Sequence, residues 1–127
     1  MNVPTKIRAT GALSLMILML ATALAQGGDV RRIKFQRGRS SSIVKSNVGR
    51  DAKITYLVAA RAGQTMSLSI SRGAAFRLSS PSDNTLEGGK AVSSTTQELA
   101  ETGDYRIVVE SLSTRAKTAF TLEVVIQ

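Results

Sequence analysis

From residue 65 to residue 71 the chain reads Thr-Met-Ser-Leu-Ser-Ile-Ser. Met66, Leu68 and Ile70 alternate with Ser67, Ser69 and Ser71. Strand side chains point to opposite faces with period two, so one face here is apolar and the other all hydroxyl. That pattern suits a sheet with one face on a core and one in water. Just upstream, Ile54, Tyr56 and Val58 alternate with Thr55, Leu57 and Ala59. This second stretch is apolar on both sides and is expected nearer the middle of a sheet. Arg61-Ala62-Gly63-Gln64 joins the two, with Gly63 the residue suited to a positive φ. Residues 54–71 therefore read as two strands and a hairpin turn.

The same alternation marks the rest of the chain. Residues 30–35 carry Ile33 and Phe35 against Arg32 and Lys34, and 43–48 form a second strand followed by a turn at Gly49. Residues 74–79 place Phe76 and Leu78 on one face. Pro81-Ser82-Asp83-Asn84 is a turn, because proline fixes φ and Asp and Asn bond locally to backbone amides. A short strand is expected at 85–87 and another near 95–99. Tyr105, Ile107 and Val109 alternate with Arg106, Val108 and Glu110. Residues 111–118 read as a hairpin loop. In the last strand, 119–126, Phe120, Leu122, Val124 and Ile126 face one way. Short strands at this spacing, with turn signals between them, predict an all-β fold: an antiparallel β-sandwich of about eight strands. The expected core is Phe35, Val44, Tyr56, Val58, Met66, Leu68, Ile70, Phe76, Leu78, Tyr105, Ile107, Val109, Phe120, Leu122 and Val124.

The first 25 residues stand apart. Lys6 and Arg8 precede an apolar run over 11–24, and Ala23-Leu24-Ala25 is a small-x-small cleavage signature. Together these predict a secretory signal peptide helix at 1–25, cleaved after Ala25. The run is shorter than the roughly 20 apolar residues of a membrane span. No stable membrane insertion is expected once it is removed. Residues 26–127 then form one domain, in a periplasmic or secreted location. Cleavage lowers the formal charge from +8 to +6. The excess lies early, in Arg31, Arg32, Lys34, Arg37, Arg39, Lys45, Arg50 and Lys53 against Asp29 and Asp51. Such a patch can guard a sheet edge or attract anionic envelope polymers.

The chain has no cysteine and no histidine. Disulfides, Ser-His-Asp and Cys-His catalysis, and metal ligation by nitrogen and sulfur are thereby excluded. Its carboxylates are scattered, whereas calcium takes six or more oxygens. Gly88-Gly89-Lys90 lacks the spacing of a phosphate loop. The basic cluster lacks the stacking aromatics of a nucleic-acid surface. The expectation is a binding protein rather than an enzyme, with no cofactor, no metal and no nucleic acid.

Three segments carry a resemblance: 56–66 with its Ala-Gly-Gln-Thr turn, 76–84 with its Pro-Ser-Asp-Asn turn, and 102–109, Thr-Gly-Asp-Tyr-Arg-Ile-Val-Val. In order and spacing they resemble the periplasmic inhibitors of g-type lysozyme and the wider pre-peptidase C-terminal β-sandwich domains. The resemblance covers 33–127. It implies a g-type lysozyme as partner, with loops entering the enzyme's cleft. In those inhibitors the hairpin before the last strand is long and arginine-rich; here it is shorter and keeps Arg115 and Lys117. These two, with Asp83, Asn84 and Lys90 on other loops, are the candidate partner-binding residues. A solvated loop residue is the ordinary alternative for each, and the sequence does not say whether these loops share one end. The second functional reading is an adhesive or structural envelope module without inhibitory activity, docking through its basic early strands.

Overall fold

The computed structural model describes residues 29–86 and 91–127. The signal-peptide segment and Lys90 lie outside the described residues. Eight strands follow in chain order: β1 (Asp29–Arg32), β2 (Ser41–Gly49), β3 (Lys53–Ala60), β4 (Thr65–Ile70), β5 (Ala74–Ser79), β6 (Ser94–Glu98), β7 (Gly103–Ser111) and β8 (Lys117–Ile126). They form two four-stranded sheets, ordered β1-β3-β7-β5 and β2-β8-β4-β6. The odd strands make one sheet and the even strands the other. The fold is the expected β-sandwich.

The pairing departs from expectation. Stretch 54–71 is not a hairpin: β3 pairs with β1 and β7, while β4 pairs with β6 and β8. The turn at 61–64 instead carries the chain from one sheet to the other. Loop 112–116 does the same between β7 and β8. Burial explains this choice. Ile54, Tyr56, Val58 and Ala60 on β3 and Met66, Leu68 and Ile70 on β4 all join one core. An arch lets their two apolar faces meet across it. Gly63 does take a positive φ, 90°.

Three further expectations are corrected. The first strand ends at Arg32, all its residues are exposed, and it runs parallel to β3. Ile33 is buried just beyond it, with Phe35 half-buried against the core. Thr85 forms only an isolated bridge to Ser79, so no strand is seen at 85–86. Val44 is half-buried, because β2 is an edge strand; Val48 on the same strand is buried instead. The free edge of β5 is covered by its own chain: Leu86 N–H donates to Leu78 O, and Phe76 and Val92 exchange backbone bonds. A covered edge offers no template for pairing with another molecule.

The core is closed by an aromatic pair. Tyr56 of β3 and Phe120 of β8 meet edge to face across the sandwich, their ring centres 6.4 Å apart. The Tyr56 hydroxyl is buried without a hydrogen-bond partner. The Arg31 guanidinium, which donates to Asp29 and to Ser46 on β2, also lies close enough to interact with it. Since a buried unpaired polar group costs stability, Tyr56→Phe is expected to raise stability by about 1 kcal/mol. Denaturant melts of the two proteins would register this as a higher midpoint at an unchanged slope.

Candidate functional site

The strand registers define two ends. Loops 50–52, 71–73 and 112–116 lie at one, here the upper end; loops 33–40, 61–64, 80–84 and 99–102 lie at the other, the lower end. The ends are the length of β7 apart, roughly 25 Å at about 3.3 Å per residue.

At the upper end the three loops are tied together. Arg50 N–H donates to Ala116 O at 3.0 Å, and Leu112 N–H donates to Gly73 O at 2.8 Å. Arg50 Nη1 reaches Thr114 O at 3.3 Å. Serine hydroxyls knit loop 112–116 internally. Ser113 N–H donates to Ser111 Oγ, and Arg115 N–H donates to Ser113 Oγ, both at 3.1 Å. Ser111 Oγ and Thr118 Oγ1, 2.8 Å apart, fasten the two ends of the crossing. The loop is thus held by bonds from its own residues and both neighbours.

What this end presents is cationic with an apolar tip. Arg50, Arg72, Arg115 and Lys117 are all exposed, and the one carboxylate on these loops is Asp51, 3.8 Å from Arg50. Leu112 is 66% exposed, the most exposed large apolar side chain among the described residues. Arg72 and Leu112 were not among the residues singled out from sequence, and Arg50 was read only as part of the early basic patch. Their convergence depends on loops far apart in the chain, and only Leu112, apolar in a polar loop, gave a local signal.

Asp83 and Asn84 lie at the lower end, away from Arg115 and Lys117. Asp83 has a positive φ of 69° and accepts a hydrogen bond from Arg106 at 2.8 Å. Asn84 N–H donates to Ser80 Oγ and its side-chain amide to Ser82 Oγ. Both residues are therefore engaged in building their turn. Beside it Tyr105 is buried as a corner tyrosine: its hydroxyl donates to Glu101 O at 2.7 Å and accepts from Glu101 N–H at 3.2 Å. Ser82 donates to Glu101, and this holds the Glu101 carboxyl below its ordinary value.

The lower end also neutralises part of the early basic cluster. Arg32 forks onto Asp104, with nitrogen–oxygen distances of 2.9 and 2.7 Å. Those hydrogen bonds hold Asp104 below its ordinary 3.8. A depressed carboxylate contributes stability that is complete above the unfolded value and lost as pH falls through the folded one. The parent is therefore expected to lose, below about pH 4, an increment of stability that Asp104→Asn has already lost at neutral pH. Thermal melts of both proteins between pH 3 and pH 7 would show their curves converging on the acid side.

No protein-family model and no curated protein sequence matches this chain. Solved structures do. The periplasmic inhibitor of g-type lysozyme (PliG) from Aeromonas hydrophila superposes with a TM-score of 0.67 at 25% identity, over 78% of this chain and 96% of that one. A mutant of the Escherichia coli PliG gives 0.62 at 19% identity, over 80% of this chain and the whole of that one. The pre-peptidase C-terminal domain of a Bacillus anthracis collagenase gives 0.50 at 17% identity, over 79% and 96%. At such identities the latter two speak for the fold alone.

Proposed function

We propose that this chain is a non-enzymatic periplasmic or secreted binding protein that inhibits a g-type lysozyme, and that its upper end does the blocking. The likeness to the Aeromonas inhibitor over nearly all of that protein's length supports the partner class. The observation that carries the choice of end is the hydrogen-bonded cluster of three loops that brings four exposed cations and exposed Leu112 to one end of the sandwich. A braced, exposed loop can enter a concave site with little ordering cost. Its cations would meet acidic residues of the enzyme's cleft, speeding encounter and fixing register, while Leu112 would bury apolar surface. Blocking of this kind requires contact and no bond-making chemistry, in keeping with a chain lacking histidine and cysteine.

In this reading Arg115 and Lys117 are contact residues, and Arg50 and Arg72 join them. Asp83 and Asn84 act at the lower end as turn-builders, outside the contact. Calorimetric titration of the chain beginning at Gln26 into a g-type lysozyme tests the proposal. Saturable binding at low salt, weakening as added salt screens the cations, is the expected result; absence of binding at micromolar concentrations would overturn it.

The envelope-polymer reading is narrowed by the ion pairs. Arg31 is held by Asp29 and Arg32 by Asp104. Of that patch Lys34, Arg37, Arg39, Lys45 and Lys53 remain exposed for such a role, the first three of them on the loop between β1 and β2.

A further inference from the structure

The lower end carries a trough independent of the upper-end contact. A cleft of about 610 Å³ is lined by Phe35, Ala60, Gly103 and Ile126 together with the cations Arg39 and Arg61. A second hollow of about 300 Å³ continues past Arg39 to Lys34. Arg39 borders both hollows, and the cations lining one or the other are Lys34, Arg39 and Arg61. All three are exposed. The carboxylate in the cleft, Asp104, is already taken by both nitrogens of Arg32 and does not neutralise them.

The scaffold under these cations is fixed. The Gln64 side chain accepts from Arg61 N–H at 2.7 Å, Thr102 Oγ1 accepts from Ala62 N–H at 3.0 Å, and Gly63 N–H donates to Leu99 O. Likewise Arg39 N–H donates to Gln36 O, and Ile126 N–H donates to Ser40 O. Neutral polar side chains, Gln36, Ser40 and Gln64, line the same two hollows.

We infer that this trough binds an acidic oligosaccharide of two or three sugar units. Spaced carboxylates would meet Lys34, Arg39 and Arg61. Hydroxyls between them would meet the amide and hydroxyl side chains, and the C–H face of one ring would lie against Phe35 and Ile126. A single-stranded nucleic acid is matched less well, because its bases need aromatic platforms to stack on and half-buried Phe35 is the one aromatic side chain lining either hollow. An acidic peptide has charges of the right sign but no ring face to lie against Phe35 and Ile126.

The test is a two-dimensional NMR titration of the chain beginning at Gln26 with trigalacturonate at low salt. Maltotriose, a hexa-aspartate peptide and oligothymidylate are run in parallel. Saturable shifts confined to loops 33–40, 61–64 and 99–102 are expected for trigalacturonate alone. The folded Arg39→Gln/Arg61→Gln protein, checked by its unchanged remaining spectrum, should bind at least tenfold more weakly. Shifts centred on the upper end, equal binding of the peptide or the oligothymidylate, or undiminished binding by the double variant would each overturn the assignment.

Discussion

Phe120→Ala is expected to cost about 3–5 kcal/mol of stability and to lower the melting temperature by on the order of 20 °C. Phe120 is buried on the inner face of β8 and meets Tyr56 of β3 edge to face, so one ring joins the two sheets. Truncation removes the transfer term, opens a cavity between the sheets and deletes an aromatic contact worth about 1 kcal/mol more. A domain of this size is stable by roughly 5–15 kcal/mol, and with no cysteine there is no disulfide to hold the sheets together. Binding by the fraction still folded should be unchanged, because Phe120 is buried in the core and offers no surface to a partner. A melt within a few degrees of the parent would mean that the inter-sheet packing is wrong.

Arg115→Ala is expected to do the opposite. The side chain is exposed, and its loop is held by bonds through backbone and serine hydroxyls that the substitution leaves intact. Stability should change by no more than about 0.5 kcal/mol. If the guanidinium pairs with a carboxylate in the lysozyme cleft, its loss should cost roughly 2 kcal/mol or more, about thirtyfold in affinity. Isothermal titration and thermal melts on the same preparation separate the two quantities. Undiminished affinity would remove Arg115 from the contact, and an early melt would give it a structural role instead.

The strand faces were legible in the sequence because alternation reports which side chains share a face. Met66, Leu68 and Ile70, or Phe120, Leu122 and Val124, needed nothing more, and all are buried. Partners were not legible, because alternation is the same whether a strand returns beside its predecessor or crosses to face it. The turn at 61–64 has the length and glycine of a hairpin, yet it spans the core. The first strand was misjudged for a related reason. Ile33 and Phe35 do contact the core, but they do so in the connection after β1, while the paired residues Asp29–Arg32 are all exposed. Candidate residues chosen from loops suffered most. Arg115 and Asp83 are equally polar and turn-like in sequence, and the strand registers separate them to opposite ends. Arg50, Arg72 and Leu112 come to the same end as Arg115 only because three inter-sheet crossings finish there.

Inhibition of a g-type lysozyme by the upper end, as proposed, can be read directly from the enzyme's lytic rate. The most direct test adds the chain beginning at Gln26 in increasing amounts to a g-type lysozyme and follows lysis of a bacterial cell suspension. The lytic rate is expected to fall with added protein and to be abolished near equimolar ratio at micromolar concentrations. A lytic rate unchanged at a tenfold molar excess would contradict it.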